Sequence, residues 1–478
     1  MTERVDVAVV GAGPAGLQAA IVAAQAGARV ALIDSYPRPG GQYFKQPPAA
    51  FRGHDRWRQQ AALDALLAHL ARPNAQIFGE TLVWGAFAAD GGDGWLLALH
   101  GPAAPHRLHA QALILAAGAY DRPIPFPGWT LPGVMAAGGV QTLIKGQRLL
   151  PGRRVLLSGS GPLQLAVAAA LVHAGADVVA VLEGSALGFS ALKQAPAAWG
   201  QWSRLAEGWG YLRTLRAAGA PLRRGWAVVA AHGQGEVQEA VIARLDADWR
   251  PIPGTAQTLA VDTIVIGYGF IPSTELSRLL GCEHDFVPEQ GGYVPRRDDE
   301  MQTTLPGVFA VGDGAGIGGA ALAQIEGRIA GIAAAHRLGF VSAAEAEQMK
   351  AALRPHWQRE RRFAAMLGRL FTPGPGLYTL ADDDTTLCRC EEVTVGQVRA
   401  AAADGVQSVN ELKGLTRAGM GNCQGRICGE LAARLLADAV GADAADPKQI
   451  EAMGRFTVRP PIHPLPLSVL AAAAEPTP

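Results

Sequence analysis

The sequence predicts an α/β protein built from two related βαβ units, one inserted within the other, and followed by a small helical domain. Three observations indicate this order. A glycine-rich turn follows the first apolar strand, a second copy of that turn begins just after Arg153, and four of the five cysteines lie in the last hundred residues. A chain of 478 residues exceeds the size at which one hydrophobic core stops growing, so several domains are expected.

The composition argues against two classes of function. Lys plus Arg equals Asp plus Glu, at 42 each, so no basic surface for nucleic acid is predicted. No window offers the roughly 18–20 uncharged apolar residues of a membrane span. The N-terminus enters an apolar strand after four residues and shows no signal peptide. Few cysteines without a secretion signal favour a reducing compartment, so we expect a cytoplasmic protein.

The first motif, VDVAVVGAGPAGLQAA, runs from a buried-type strand through a glycine turn into a helix. Gly11 permits the tight turn, Gly13 lets a pyrophosphate approach the backbone, and Gly16 allows close packing of helix on strand. Asp34 ends the next strand, 18 residues beyond Gly16, where a carboxylate accepts hydrogen bonds from a ribose. The pattern favours dinucleotide binding over a glycine-rich turn without ligand.

Three further segments indicate which dinucleotide this is. SYPRPGGQYFKQ carries a Gly-Gly turn that lets the chain pass close to a flat ring, ALILAAGAYDRP is a strand ending at Gly118, and GVFAVGDGAGIGGAALAQIEGRIAG adds a strand and a helix. Together they resemble the FAD fold of the two-dinucleotide-binding-domain flavoproteins, the glutathione-reductase-like family. That resemblance implies a bond from Asp313 to the ribityl or phosphate region of FAD, a role compatible with the alternative of a helix cap.

The resemblance also implies that the N-terminus of the helix after Gly319 points at the pyrimidine edge of the flavin. The FAD site implied by these motifs comprises Gly11, Gly13, Pro14, Ala15, Gly16, Asp34, Gly41, Gln42, Val83, Gly118, Gly312 and Asp313.

The segment RRVLLSGSGPLQLAVAAALVHAGADVVAVLEGS repeats the first motif. Gly159 and Gly161 match the first two glycines, Glu183 matches the acid, and Gln164 stands in place of the third glycine. In flavoproteins of this layout the insert binds NAD(P)H. The change to Gln164 leaves three alternatives open: a working nicotinamide site, a site for another adenine nucleotide, or a vestigial pocket.

No residue of the sequence stands out as a general base. Gln42 and Tyr43 follow the Gly-Gly turn and are candidates to touch the flavin, as positioning residues rather than acid–base catalysts. His54, in FRGHDRW, is isolated. No cysteine precedes Cys282, so thiol–disulfide exchange beside the flavin is excluded, and Cys282 itself reads as a small buried hydrophobe.

The remaining four cysteines form two pairs, Cys388-x-Cys390 and Cys423-x4-Cys428, separated by 32 residues. Two such pairs can converge on one metal centre. Zinc sites usually space their pairs as C-x2–4-C, whereas [2Fe–2S] clusters take four thiolates at more variable spacing. The segments CRCEEVT and TRAGMGNCQGRIC resemble the bacterioferritin-associated-ferredoxin type of [2Fe–2S] domain. Structural zinc and unligated thiols stay as alternatives.

Several longer segments, which occur in the same order along the chain, indicate a more specific family. RPIPFPGWTLPGVMAAGGVQTLIK, GYGFIPSTEL and the cysteine domain resemble the FAD and [2Fe–2S] α-type subunits of opine oxidase, hydrogen cyanide synthase (its B subunit) and dye-linked proline or hydroxyproline dehydrogenases. The similarity extends from near residue 5 to about residue 465. It implies an FAD domain at 1–150 and 290–340, an inserted NAD(P)-like domain at 151–289, a helical linker at 341–382, a [2Fe–2S] domain at 383–442 and a proline-rich tail at 443–478.

This family implies an electron-transfer subunit of a multi-subunit amine or amino-acid dehydrogenase, of the opine, proline, hydroxyproline or glycine type. The implied partners are a substrate-oxidising flavoprotein, a small ferredoxin-like protein and a respiratory or artificial electron acceptor. Through such partners the chain would contact the inner face of the membrane. Two alternatives stay open: a self-contained NAD(P)H oxidoreductase, and a non-enzymatic docking protein with a zinc module.

Overall fold

The computed structural model describes residues 3–48, 59–186, 193–443 and 446–474, so His54 lies outside the described residues. The first part of the chain supplies six strands of one sheet, in the order β3-β2-β1-β6-β5-β4, of which β1, β2, β3 and β6 run parallel. Its elements are β1 (Glu3–Val10), α1 (Pro14–Gln25), β2 (Val30–Ile33), α2 (Gln60–Leu70), β3 (Ala75–Phe78), β4 (Leu82–Ala88), β5 (Trp95–His100), β6 (Arg107–Leu115), β7 (Ala119–Asp121), β8 (Val134–Ala136) and α3 (Ala137–Thr142).

The middle of the chain, together with β7 and β8 from the first part, builds a second, five-stranded parallel sheet in the order β11-β10-β9-β15-β8, an antiparallel sheet β12-β13-β14, and two short ribbons, β16 with β7 and β17 with β18. Its elements are β9 (Arg154–Gly159), α4 (Pro162–His173), β10 (Asp177–Glu183), α5 (Trp202–Ala217), β11 (Leu222–Arg224), β12 (Trp226–His232), β13 (Glu239–Arg244), β14 (Gln257–Ala260), β15 (Thr263–Gly267), β16 (Phe270–Pro272), α6 (Glu275–Leu280), β17 (His284–Val287) and β18 (Gly292–Pro295).

The last part returns to the first sheet, because β19 pairs with β6 and thereby closes the insertion. The chain then continues as a long helix and a small helical domain. The elements are β19 (Val308–Ala310), α7 (Ala320–Arg337), α8 (Ala343–Phe371), β20 (Thr386–Cys388), β21 (Val393–Thr394), α9 (Val395–Ala403), α10 (Val409–Thr416), α11 (Gly429–Ala439), α12 (Pro447–Ala452) and α13 (Leu467–Ala474).

Short helical turns connect several of these elements. A π-helical turn follows α3, and 3₁₀ turns lie in loops, one of them immediately before α7. They are Asp90–Gly92, Leu143–Gln147, Ala195–Ala198, Pro288–Gln290, Gly312–Ala315 and Pro375–Thr379.

The parallel strands β1, β2 and β6 are almost continuously buried, as expected for strands covered on both faces by helices. Helices α1 and α7 pack against each other on one face of the first sheet. The α/β fold with two related parallel sheets and a helical C-terminal domain confirms the predicted fold class. The domain limits stay a prediction.

Local signals placed several helices correctly. Thr394 and Gln397 form the predicted capping box at the start of α9. Ser408 caps α10 by accepting a bond from the Glu411 N–H, while the Glu411 carboxylate bonds the N–H of Gln407 instead of closing the box. Within the described residues, no helix combines the length and apolar composition that crossing a bilayer requires.

One hydrophobic core joins the inserted unit to the C-terminal helices. Leu156 and Ile242 of the inserted unit belong to the same buried cluster as Leu387 and Cys388, and so does Trp129, which precedes the insert. In addition, the indole Nε1 of Trp129 donates to the carbonyl of Thr386 at 2.7 Å. The helical domain is therefore fixed on the inserted unit by a shared core rather than tethered by a free linker.

Candidate functional site

The first glycine turn has the geometry that its motif predicts. Gly11 has φ +102°, and a Cβ there would lie 2.3 Å from the Ala116 carbonyl oxygen. A Cβ on Gly16 would lie 1.8 Å from the Gly11 carbonyl oxygen. Helix α1 starts at Pro14 with Gly13 as its N-cap and no side-chain cap. Its first N–H groups are therefore free to receive a pyrophosphate.

Asp34 closes β2 beside this turn. One carboxylate oxygen accepts the Ala12 N–H at 2.6 Å and the other accepts the Tyr36 N–H at 2.7 Å. Burial raises the pKa of Asp34. The Thr81 N–H donates to the Asp34 carbonyl, which places the start of β4, with buried Val83, next to the predicted ribose position. Asp34 thus shapes the turn, and its oxygens keep further acceptor sites for a ligand.

The Gly-Gly turn lies directly on the first glycine turn. The Gly40 N–H donates to the Ala12 carbonyl at 2.7 Å, and a Cβ on Gly41 would lie 2.9 Å from the Gly13 Cα. Of the two residues that follow, Gln42 bridges two elements, donating to the Tyr36 hydroxyl at 3.0 Å and accepting from Thr142 at 3.2 Å. Tyr43 is 42% exposed and packs edge-to-face on Phe44.

The remaining predicted flavin residues meet at the carboxyl ends of β6 and β19. Gly118 has φ +73°, and a Cβ on neighbouring Gly314 would lie 3.2 Å from its nitrogen. Asp313 accepts the N–H groups of Gly318 and Gly319 at 2.9 Å each. It thereby positions the start of α7, whose N-cap Gly319 offers no side-chain cap, so the first N–H groups of the helix stay open.

The residues around the first glycine turn and the residues at the carboxyl ends of β6 and β19 face each other across α1. A Cβ on Gly312 would lie 3.0 Å from the Ala15 Cβ, and a Cβ on Gly327 in α7 would lie 2.1 Å from the Ala15 carbonyl oxygen. The small side chain of Ala15 therefore lets α1 and α7 approach closely. The structure brings the predicted FAD residues to one edge of the first sheet, at the carboxyl ends of its parallel strands, where ligands of such sheets bind.

Glu183, the acid of the inserted unit, bonds its glycine turn as Asp34 bonds the first turn, but one position later in the motif. Glu183 accepts the Gly161 N–H at 2.9 Å and the Ser185 N–H at 3.0 Å. Gly161 corresponds to Gly13, whereas Asp34 bonds the preceding position, Ala12. The extra methylene of glutamate accounts for the longer reach. Burial raises the pKa of Glu183.

Aromatic side chains of the chain itself cover this second turn. The Phe371 side chain lies 3.5 Å from the Cβ position of Gly161. The Trp249 ring lies over Gly184, 2.3 Å from its Cβ position, directly after Glu183. Beneath the turn, Gln164 is 2% exposed, and neither amide atom finds a hydrogen-bond partner among the described residues. A cavity of about 210 Å³ remains beside Phe371.

Phe371 and Trp249 were missed by sequence reasoning. They stand 122 residues apart in segments without nucleotide motifs, and no local pattern signals that they return to the glycine turn. Phe371 and Trp249 thus pack against the second glycine turn, and the turn also borders the cavity beside Phe371. The three alternatives for the insert stay open.

The four clustered cysteines converge. Cys388 and Cys428 are buried, Cys423 is partly buried and Cys390 is exposed. The Cys428 thiol lies within hydrogen-bond reach of both Cys388 and Cys423, and Cys423 also contacts Cys390. Hydrogen bonding with Cys428, which shares its one proton between the two sulfurs, lowers the pKa of Cys388 to about 6 and that of Cys423 to about 5, and it raises the pKa of Cys428.

Backbone N–H groups surround the sulfurs and favour the thiolate form. Cys388 receives bonds from the N–H groups of Gly419 and Glu391, and Cys423 from those of Gly425 and Ile427. Across the described ranges, no three His, Cys, Asp or Glu side chains are arranged to hold a single metal ion.

Two contacts bond the cysteine loop to the strand that leaves the predicted flavin site. The Tyr120 hydroxyl, two residues after Gly118, accepts from Arg426 Nε at 2.8 Å. Arg122 pairs with Glu430 at 2.5 Å, and their side chains are only 6% and 7% exposed. Arg122 also donates to the Gly291 carbonyl at 2.9 Å. Sequence reasoning did not find these residues, because the partners lie more than 300 positions apart.

Comparison with known proteins agrees with this geometry. A model described as pyridine nucleotide-disulphide oxidoreductase matches residues 5–339. The chain belongs to the pyridine nucleotide-disulphide oxidoreductase family. A second model, the sarcosine oxidase A3 domain, matches residues 385–474, which include the four clustered cysteines.

Relatives that align along nearly their whole length are named as subunits. The chain described here is 37% identical to hydrogen cyanide synthase subunit HcnB of Pseudomonas aeruginosa, in an alignment that covers 96% of this chain and 97% of the relative. It is 33% identical to an opine oxidase subunit from Agrobacterium tumefaciens, covering 98% and 92%. A crystal structure of L-proline dehydrogenase from P. horikoshii superposes with TM-score 0.69 at 20% identity, covering 98% of this chain and 80% of the other.

These findings confirm the family resemblance drawn from the sequence. The chain is an FAD-dependent oxidoreductase subunit related to opine oxidase and hydrogen cyanide synthase, and it shares the fold of proline dehydrogenase. Unlike the disulphide reductases that give the family its name, it has no cysteine before Cys282 and hence no thiol pair in the first sheet.

Proposed function

We propose that this chain relays electrons within a multi-subunit amine or amino-acid dehydrogenase. Electrons from a substrate C–N bond, oxidised on a separate flavoprotein subunit, pass through FAD at the first glycine turn and a [2Fe–2S] cluster at Cys388, Cys390, Cys423 and Cys428. The observation that carries this proposal is the direct bond between Tyr120, beside the predicted flavin site, and Arg426, inside the cysteine loop.

The residues of the chain define what each centre would do. When bound, FAD exchanges electrons in pairs and a [2Fe–2S] cluster exchanges them singly. Together the two centres would convert one two-electron transfer into two one-electron transfers. The N-terminus of α1 holds the pyrophosphate, and the open N-terminus of α7 favours negative charge near the ring. The backbone N–H groups around Cys388 and Cys423 stabilise the anionic sulfurs.

Partners and substrate class rest on the names of the relatives. The relatives from hydrogen cyanide synthase and opine oxidase are both named as subunits, which supports assembly with other chains. As these partners we propose a substrate-oxidising flavoprotein and a small ferredoxin-like protein. Opine oxidase supports an amine or amino-acid substrate. We assign the final electrons to a respiratory or artificial acceptor, and the location to the cytoplasm or the inner face of the membrane.

Metal analysis of the purified full-length chain tests the cluster. We expect iron and acid-labile sulfide in equal amounts, about two of each per chain, with visible absorption beyond that of FAD. A chain that contains zinc and no sulfide would support the docking-module alternative instead. Dye-linked oxidation of an opine or of proline by the chain alone, without any partner, would contradict the relay role.

We expect NADH and NADPH not to reduce the bound FAD, because Phe371 and Trp249 pack against Gly161 and Gly184, at the turn where the repeated motif would hold a dinucleotide. Anaerobic stopped-flow mixing measures this as absence of flavin bleaching. Phe371→Ala alone should not create reactivity, because Trp249 still covers Gly184. Rapid bleaching of the unmodified chain by either nucleotide would show that the self-contained NAD(P)H oxidoreductase is the better description.

A further inference from the structure

A large cavity lies between the two proposed redox sites and is assigned to neither. Its volume is about 650 Å³. Helix α6 and Tyr120 form one wall, the cysteine loop around Arg426 forms another, and the tail segment 455–462 closes the third side. We call it the tail cavity. Its volume falls in the range of cavities that hold whole small molecules and exceeds what a single inorganic ion fills.

The tail cavity carries unpaired positive charge. Of its two carboxylates, Glu430 is held by Arg122 and Arg434, and Glu275 lies 3.4 Å from Arg426. Arg278, Lys413 and Arg455 also line it, and none of them forms an ion pair within the described parts of the chain. The whole protein has no net charge, so this concentration of cations is local.

Two buried polar atoms in the same cavity have no hydrogen-bond partner among the described residues. They are Nη1 of Arg455 and the hydroxyl of Tyr293, which lie on residues in direct contact, with the Arg455 guanidinium 4.1 Å above the Tyr293 ring. Burial raises the pKa of Tyr293 to about 12, so its hydroxyl stays a donor. Buried donors left without an acceptor are costly, and they mark the place where a ligand oxygen would be bonded.

The cations also repel one another. Burial and the charge of Arg455 lower the pKa of Arg278 to about 10. Arg278 donates to the backbone carbonyl of Phe456. Glu275 offsets part of the repulsion, but the same carboxylate lies 3.4 Å from Arg426. A bound anion would neutralise this repulsion and accept the free donors of Tyr293 and Arg455 together.

From this arrangement, we propose that the tail cavity binds an organic anion with at least two negative charges, carried by phosphate or carboxylate groups. Arg278, Lys413 and Arg455 bind the charges, and the hydroxyl of Tyr293 donates to an anionic oxygen. The aromatic faces of Tyr120 and Phe456 contact the rest of the molecule. This proposal does not depend on the relay function.

Isothermal titration of the full-length holoprotein at constant ionic strength tests the proposal, with inorganic pyrophosphate and citrate as the two probes. We expect saturable binding of one probe molecule per chain. Tighter binding of pyrophosphate would assign the site to phosphates, and tighter binding of citrate would assign it to carboxylates. The double variant Arg278→Gln/Arg455→Gln should lose about tenfold or more in affinity, as expected for charge-assisted hydrogen bonds.

Two further variants keep the test independent of folding defects. Tyr293→Phe removes only an unpartnered hydroxyl, so this variant should fold normally. Its affinity for either probe should nevertheless fall about threefold or more. The matched control Arg216→Gln/Arg328→Gln removes two exposed arginines outside the cavity and should bind as the unmodified chain does. The proposal is overturned if neither probe gives saturable heat, or if all variants bind equally.

Discussion

Cys428→Ala is expected to abolish electron delivery from this chain to a one-electron acceptor. The Cys428 thiol is buried and contacts both Cys388 and Cys423, so its loss removes the sulfur that connects the two cysteine pairs. Iron and sulfide content should fall to near zero, while FAD content stays unchanged because the first glycine turn lies on another sheet. Metal analysis, the visible spectrum and dye reduction with the partner complex measure the three effects.

Cys282→Ala is the matched control. Cys282 is also buried, at 6% exposure, but its sulfur contacts only Thr303 in the hydrogen-bond network, far from the other thiols in sequence. It should keep full iron content and full dye reduction, with only a small loss of stability. Normal iron content in Cys428→Ala, or an equal loss in both variants, would rule out the four-thiolate cluster.

Glu430→Met is expected to destabilise the attachment of the helical domain by about 3–5 kcal/mol, because it leaves Arg122 and Arg434 buried without their shared carboxylate. Arg122→Met should cost clearly less, since Glu430 keeps its 3.0 Å contact with Arg434. Denaturant unfolding, followed both by far-UV circular dichroism and by the visible band expected of the proposed cluster, measures the two changes.

The dependence of stability on acid pH gives a second test of the ion pairs that Glu430 forms with Arg122 and Arg434. Despite the opposing effect of burial, Arg122 and Arg434 lower the pKa of Glu430 below its ordinary 4.5. The pair therefore contributes its full stability above that pH and loses it as the pH falls through the lowered pKa. Glu430→Met should remove this part of the acid sensitivity. Arg154→Met, which breaks an exposed pair with Asp177, should cost under about 1 kcal/mol and serves as control.

The parts of the fold that follow from local chemistry could be predicted. Gly11 and Gly161 have φ near +100°, which other residues rarely adopt, and Gly16 leaves no room for a Cβ beside the Gly11 carbonyl, so their turns are visible in sequence. Thr394 and Gln397 indicate a helix start through bonds three residues apart. The spacing of the cysteines likewise predicted that Cys388, Cys390, Cys423 and Cys428 would come together, because each of the two pairs lies within one short loop.

The rest depends on contacts between distant segments. Nothing near Phe371 indicates that it covers Gly161, and nothing in the repeated motif reveals that Trp249 lies on Gly184. The repeated motif therefore predicted the turn and its acid, but not the aromatic side chains that pack on them. The same holds for Arg122 and Glu430, 308 positions apart, whose pairing is fixed by how the helical domain packs on the inserted unit.

The shared core of inserted unit and helical domain has a consequence for how the protein matures. Cys388 and Cys428 are themselves buried members of that core, packed with Leu387 and Leu431. If these thiols hold the proposed cluster, the proteins that deliver iron and sulfide would have to reach them before the core closes. Cofactor loading and the final folding step would then be one event, and chains that miss delivery would be left with an unfinished C-terminal half open to proteases.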